Sequence, residues 1–115
     1  MVLERDGYLL RIFIGESDKH RGQPLYEWIV SQARAEGLAG ATVLRGMMGF
    51  GANSRVIHTF KIERLSEDLP IVIEIVDTRE HLESFLTRIE PEIEAGMVTL
   101  EKAEVRVYRS SEARR

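Results

Sequence analysis

The chain has 115 residues, 43% of them hydrophobic, which is enough to bury one core without disulfide or metal support. It contains no cysteine, which excludes disulfide bonds and thiolate metal sites. The formal net charge of -3 comes from interspersed acidic and basic residues and argues against nucleic acid, duplex DNA above all, as the main partner. Because the start lacks a basic leader and no run approaches the ~18 apolar residues of a membrane span, we expect a cytoplasmic protein that does not insert into a membrane.

Two strands and one helix are predicted in the first half of the chain. YLLRIFIG, residues 8–15, alternates in hydrophobicity as a half-buried strand does. After the polar loop ESDKHRGQ, Pro24 suits the first position of a helix, PLYEWIVSQARAEG, which should end at Gly37. GATVLRGMM, residues 40–48, predicts the second strand. The residues that share one face of the first strand, or one stripe of the helix, are Leu10, Ile12, Ile14, Leu25, Ile29 and Ala33.

Two further strands and one weaker candidate are predicted in the second half of the chain. SRVIHTFKIER, residues 54–64, is a weaker candidate, whereas LPIVIEIV, residues 69–76, is a strong one with Pro70 tolerated at its beginning. AEVRVY, residues 103–108, alternates in the same way and predicts the last strand. The polar residues 110–115 are expected to form a frayed tail.

A second helix is predicted between the last two of these strands. Asp77 followed by Glu80 resembles a helix-capping pair. The next apolar residues fall at helical spacing: Leu82, Phe85, Leu86 and Ile89. Pro91 should end or bend this helix, and Gly96 closes the segment.

The order of the predicted elements is βαββαβ, the split βαβ arrangement of ferredoxin-like α+β domains, with an antiparallel sheet and both helices on one face. We expect one such domain over residues 1–115, with its core at about 7–109. The face without helices would then carry large apolar side chains: Leu9, Phe13, Val72 and Val76. A subunit interface explains these side chains better than a solvated face does. A face that is only partly exposed to solvent remains the alternative.

A charge network is predicted on this helix-free face. Arg11 and Glu74 occupy the middle of neighbouring strands, and either Glu104 or Arg106 would join them from the last strand. Opposite charges on adjacent strands at one face of a sheet stabilise each other.

The stretch VLRGMMGFGANSRVIH, residues 43–58, is not an ordinary turn. Its glycines permit positive φ and close backbone approach, which serves either a plain bend or a loop that presents amide groups to an anion. The glycine spacing is that of neither a P-loop nor a dinucleotide fingerprint. Met47, Met48 and Phe50 could pack on a ligand ring, on a partner or in an interface.

Polar residues around two predicted loops are candidates for binding an anion. Asn53, Ser54 and Arg55 follow the glycines, and Lys19 with His20 precedes the amino terminus of the first helix. Solvated loop residues are the alternative for both groups. The predicted ligand-binding residues are Arg45, Gly46, Gly49, Gly51, Asn53, Ser54, Arg55, Lys19 and His20; no catalytic residue and no metal site is predicted, because the three histidines have no zinc spacing.

LRIFIGESDKHRGQPLYEWIVSQARAEGLAGATVLRGMMGFGANSRVIHT followed by LSEDLPIVIEIVD resembles the DUF190 family of PII-like proteins, which are related to the PII nitrogen-regulatory signal proteins. The resemblance runs from about Leu10 to Tyr108, and the combination of GESDKH, PLYE, GATVLRGMMGFG and LSEDLP makes it specific. It implies a ferredoxin-like domain assembled as a compact homotrimer. In the PII relatives a T-loop between the second and third strands reaches partner proteins, and adenine nucleotides bind between subunits near its base.

For this chain the resemblance implies that RGMMGFGANS is the root of such a loop and that residues 49–65 are its arm. The implied function is regulation without catalysis. A small anionic effector, with an adenine nucleotide as the candidate, would bind between subunits, and the loop would contact a partner protein such as a membrane transporter or channel. PII proteins also carry a glycine-rich, lysine-bearing loop before the last strand, where EAGMVTLEKAE has only Gly96 and Lys102.

Two other functions are compatible with the predicted topology. Acylphosphatases share this topology and bind phosphate with an arginine in the first loop, so Arg21 and Asn53 are comparable candidates. Against this function, no nucleophile lies beside a base in the sequence. A trimeric metal-responsive protein is disfavoured because cysteine and a histidine cluster are missing. We further expect residues 49–65 to be mobile without ligand and to become ordered when an anion or a partner engages the base of the loop.

Overall fold

Two sheets and two helices form the part of the chain that this computed structural model describes, residues 6–52 and 68–111. The strands are β1 (Gly7–Gly15), β2 (Lys19–His20), β3 (Gln23–Pro24), β4 (Thr42–Arg45), β5 (Pro70–Thr78) and β6 (Met97–Lys102). The helices are α1 (Leu25–Ala35) and α2 (Arg79–Ile89), and a 3-10 turn (Glu90–Glu92) follows α2.

The main sheet is antiparallel, with the strand order β4-β5-β1-β6. β1 pairs with β5 along its whole length, from Gly7 opposite Thr78 to Gly15 opposite Pro70, and with β6 on its other side. The predicted α+β architecture, with the first strand between the LPIVIEIV strand and the last one, is therefore confirmed.

One hydrophobic core lies between this sheet and the helices. β1 and β5 each turn alternate side chains inward, and each helix contributes one stripe, as the hydrophobic periods predicted. Leu86 packs at the border of the core. The buried apolar residues are Leu10, Ile12, Ile14, Leu25, Ile29, Ala33, Ile71, Ile73, Ile75, Leu82, Phe85 and Ile89.

The segment between β1 and α1 contains a short hairpin where a plain polar loop was predicted. β2 and β3 are joined by Arg21 and Gly22, both with positive φ (52° and 86°), the conformation that favours tight two-residue hairpins. Pro24 closes this hairpin, and α1 begins one residue later, at Leu25. β4 is also shorter than the predicted 40–48, because only Thr42 to Arg45 has a partner on β5.

The last strand lies at 97–102, so the prediction of a strand at AEVRVY, 103–108, is wrong. β6 pairs with Tyr8 to Phe13, and the amide of Ala103 donates a final hydrogen bond (2.9 Å) to the carbonyl of Gly7. Since β1 begins at Gly7, the chain beyond Ala103 has passed the end of its partner. SRVIHTFKIER, residues 54–64, lies wholly within 53–67, outside the described residues.

The helix-free face of the sheet carries the predicted apolar side chains, all half-buried: Leu9, Phe13, Val72 and Val76. Arg11 lies among them and binds Glu74 (Nε to Oε2, 3.0 Å) and Glu101 (Nη1 to Oε1, 2.9 Å). The hydrogen bond that Arg11 donates to Glu74 raises the pKa of Arg11, a guanidinium that stays protonated in proteins in any case. The third member of the network is thus Glu101, and the prediction of Glu104 or Arg106 was wrong because it placed the last strand too late.

Asp77 was predicted to cap α2, but Thr78 does so, accepting a hydrogen bond from the amide of His81 (3.2 Å). Asp77 is fully buried and joins three parts of the fold. Its carboxylate accepts from the amides of Ala39 (2.8 Å) and Thr78 (2.7 Å) and lies 2.8 Å from Nδ1 of His81. Through Ala39 it holds the α1–β4 connection against the end of β5.

We predict that Asp77→Asn lowers the free energy of unfolding by about 1–3 kcal/mol, because the amide leaves one buried N–H without an acceptor. Urea denaturation at matched protein concentration measures this change. Glu83→Gln, on the exposed face of α2 in an ion pair with Arg79, is the matched control and should change stability by less than about 0.5 kcal/mol. Equal stabilities of the two variants would contradict the anchoring role of Asp77.

Candidate functional site

The glycine-rich stretch leaves the sheet at the end of β4. The amide of Gly46 donates to the carbonyl of Pro70 (2.8 Å), and a Cβ on Gly46 would lie 2.8 Å from Cγ of Pro70, so only glycine fits there. Gly49 adopts a φ of 152° close to the same proline. These two glycines therefore turn the chain tightly over the start of β5.

A cleft of about 200 Å3 lies beside this loop root. The loop contributes Phe50, Gly51 and Ala52, the end of β1 contributes Phe13, and the start of β6 contributes Met97. Gly96 makes room at its base, because a Cβ there would overlap the carbonyl oxygen of Phe13. The remaining lining residues are Ile14, Gly15, Asp18, Asp68, Pro70 and Ala95.

The charged groups of this loop-root cleft are carboxylates. Asp18 accepts a hydrogen bond from the amide of Gly15 (3.1 Å), and Asp68 accepts one from the amide of Ser17 (2.7 Å). Within the described residues no lysine, arginine or histidine lines the cleft. A wider groove of about 510 Å3 shares Ala52, Ala95 and Gly96 with it and adds Glu90 and Glu94. The surroundings suit an apolar ring with hydrogen-bond donors and oppose a bare phosphate.

Arg45, a predicted ligand residue, lies at the end of β4 next to the loop root. Its Nη1 donates to Oε2 of Glu16 at 2.8 Å, and its side chain is 60% exposed. The ion pair offsets the arginine charge, so an anion would have to compete with Glu16 for it.

Lys19 and His20 belong to the β2–β3 hairpin. The His20 ring stacks on Trp28 with centroids 4.0 Å apart, and its Nε2 lies 3.1 Å from Oε1 of Glu92. With only 11% of its side chain exposed, His20 fastens the hairpin to α1 and the 3-10 turn. Lys19 is exposed and lines a small cleft of about 70 Å3 together with Glu92; this cleft shares Asp18 and Ala95 with the loop-root cleft.

The structure thus brings only part of the predicted site together. Gly51 lines the loop-root cleft, Gly46 and Gly49 shape its entrance, and Arg45 lies at the adjacent strand end. Asn53, Ser54 and Arg55 lie outside the described residues. Arg21, considered as a phosphate ligand, is exposed in the hairpin turn.

Sequence reasoning did not single out several cleft residues as functional: Phe13, Asp18, Asp68, Ala95 and Met97. They come from the ends of β1, β5 and β6 and meet only through the strand order. Only the topology could have pointed to these residues. In the antiparallel sheet, the carboxyl end of β1 lies beside the amino ends of β5 and β6, so these strand termini meet at one end of the sheet.

Neither a metal site nor a membrane-spanning helix occurs among the described residues. Among residues 6–52 and 68–111, no three histidine or acidic side chains converge as a metal site would require. In that part of the chain, neither helix is long and apolar enough to cross a membrane.

Comparison with solved structures relates the fold to PII-like proteins. CPII from Thiomonas intermedia K12, bound to ADP and bicarbonate, matches with a TM-score of 0.62 at 19% identity, over 86% of this chain and 87% of that one. CPII bound to ADP, AMP and bicarbonate matches with a TM-score of 0.59 at 16% identity, over 86% of this chain and 93% of that one. At these identities the likeness shows the fold alone, which is PII-like.

Comparison of sequences gives the family. A UPF0166 protein of Aquifex aeolicus (strain VF5) is 39% identical over 97 residues, covering 84% of this chain and 90% of that protein. The model of the DUF190 family, described as Uncharacterized ACR, COG1993, matches residues 7–105. The chain therefore belongs to the DUF190 family, with a PII-like fold.

Proposed function

We propose that this protein is a PII-like regulator that forms a homotrimer and binds an adenine nucleotide in clefts between subunits at the root of the loop. The observation that carries the proposal is the cleft where Phe50, Phe13 and Met97 surround an apolar space beside two carboxylates. An adenine ring offers an aromatic face to such side chains and an amino group to a carboxylate. The structures of CPII with ADP, and with ADP and AMP, support this choice of ligand.

The size and charge of the cleft favour a site shared between subunits. Ligand sites usually enclose ~300–1,000 Å3, more than the roughly 200 Å3 of the loop-root cleft itself among the described residues. The phosphates of a nucleotide also need cations, and the described part of the cleft supplies Asp18 and Asp68 instead. In the proposed site the base lies in the loop-root cleft, while the phosphates point outward toward a neighbouring subunit and toward Asn53, Ser54 and Arg55.

The helix-free face supports self-association. Its apolar residues surround Arg11, whose charge is already matched by Glu74 and Glu101. A paired charge can be covered by another subunit at less cost than an isolated one. Three such faces meeting at one axis would bury Phe13 and Val72, which lie opposite each other on β1 and β5.

We propose regulation without catalysis, because the described cleft contains no nucleophile beside a base. Its carboxylates are already engaged by backbone amides. Met47, 83% exposed, and Phe50, 68% exposed, lie at the loop root and suit contact with a partner protein once a ligand has fixed that root. The arm at 49–65 would make the rest of this contact.

Binding of ADP and AMP, with and without bicarbonate, is the test of the proposed ligand. At 100 times its dissociation constant a nucleotide should stabilise the protein by about 2.7 kcal/mol, which appears as a raised melting temperature. Guanine nucleotides should bind more weakly if Asp18 or Asp68 accepts from the adenine amino group. Absence of binding by any adenine nucleotide in calorimetry would contradict the proposal.

Phe50→Ala should weaken nucleotide binding by about 1–3 kcal/mol, the usual contribution of stacking between a base and an aromatic side chain. The fold should persist, because Phe50 is largely exposed in the free chain. Met47→Ala is the matched control, since Met47 is on the same loop but does not line the cleft. Equal nucleotide dissociation constants for the two variants, measured by calorimetry, would mean that the adenine does not stack on Phe50.

Phe13→Asp and Val72→Asp should dissociate the assembly, because each would put an unpaired charge into the apolar interface. Val72 does not line the loop-root cleft, so its variant separates assembly from ligand contacts. Ser31→Asp, on the exposed side of α1, is the matched control. Sedimentation velocity should give one chain for the first two variants and the parental mass for the control; parental mass for all three would reject this face as the interface.

A further inference from the structure

Residues 103–108 follow β6 and cross the end of the main sheet. We call this segment the strap. It starts at the β6 edge, where Ala103 binds Gly7 of β1. Val105 packs over the position of Gly7, and the hydroxyl of Tyr108 donates to the carbonyl of Ala39 (2.8 Å) before β4. The strap therefore has fixed contacts at both ends.

The strap has the sequence of a strand without a partner strand. Its valines alternate with Glu104 and Arg106, the pattern of a half-buried strand. Among the described residues, however, the amides from Glu104 to Arg109 donate to no backbone carbonyl. Val107 is 62% exposed, and Tyr108 is 48% exposed. A β-prone segment with free backbone groups and exposed apolar side chains is a template for pairing with another strand.

The same sheet offers a second unpaired edge on its opposite side. β4 ends the strand order among the described residues, and all four of its residues are exposed. Val43 and Leu44 are 37% and 49% exposed, so this edge lacks the charged or proline residues that protect edge strands, apart from Arg45 at its end.

We propose that the strap of one copy pairs as a β-strand with the outer edge of β4 of the next copy, so that each subunit interface is completed by main-chain hydrogen bonds. This rests on the proposed trimer. The sheet has two different edges, and the strap begins at one of them, so the contact joins unlike surfaces. Head-to-tail contacts of this kind close into rings, whereas a twofold dimer would require each patch to meet itself.

A cleft under the strap is consistent with this pairing. It encloses about 400 Å3 and is lined from the strap by Val105 to Tyr108 and from the sheet by Leu9, Thr42, Glu74 and Val76. The sheet residues belong to the helix-free face and to β4. The neighbour that covers this face would also cover the strap, so one docking event buries both.

Amide hydrogen exchange of the assembled full-length protein is the first test. Pairing along one edge protects every second residue, so alternate amides between Glu104 and Tyr108 should exchange at least about tenfold more slowly than their neighbours. Under conditions that dissociate the assembly, the alternation should disappear. Uniformly fast exchange in a protein whose mass is that of a trimer would overturn the strap pairing and leave the trimer intact.

Cysteine cross-linking identifies the partner strand. Because the sequence contains no cysteine, only the introduced cysteines can react. Copies with Glu104→Cys mixed and reassembled with copies carrying Thr42→Cys should give a covalent dimer with a short bismaleimide. Neither variant alone should cross-link, because identical positions do not meet in a head-to-tail contact. The control mixture uses Ser31→Cys on α1 in place of Thr42→Cys and should give no product. Cross-linking of either single variant, or none in the mixture, would overturn the assignment to β4.

Discussion

The alternation of side chains along β1 and β5 is the constraint on which the rest of this structure depends. Each strand turns its isoleucines and leucines to the helices and thereby turns Phe13 and Val72 to the other side. A shift of one residue in register would exchange the two sets. The same pattern that builds the core therefore creates an apolar face that the described part of one chain covers only at one end, where the strap lies over Gly7.

The charges on that face fit covering by other subunits. Arg11 has two carboxylates within 3.0 Å, so the arginine on this face is paired and is not a free cation. At the end of the sheet where β1 stops and β5 begins, Gly46 approaches Pro70 closely and Gly96 approaches Phe13. This packing leaves room for a cleft between the glycine-rich loop and the strands. Assembly and ligand binding would therefore be coupled through Phe13, which belongs to both the helix-free face and the cleft.

Local patterns predicted most of the fold. The periods of 2 in YLLRIFIG and LPIVIEIV and the helical spacing of Leu82, Phe85 and Ile89 are confirmed, because burial follows such periods directly. AEVRVY failed although its alternation is equally good, since pairing depends on where β1 begins and not on the segment itself. The cleft was not predictable from spacing, because Phe13, Phe50 and Met97 meet only through strand order and the glycine turns. Within the described residues, His20 was separated from the loop root by its stacking on Trp28, a contact that no local pattern signals.

We expect the helix-free face to be covered by copies of the same chain. The most direct measurement is the mass of the unmodified protein by light scattering after size-exclusion chromatography, at low and at high salt. We expect the mass of three chains at both, because apolar burial and backbone pairing hold the assembly together. A mass of one chain at both salt concentrations would contradict covering of this face by other copies.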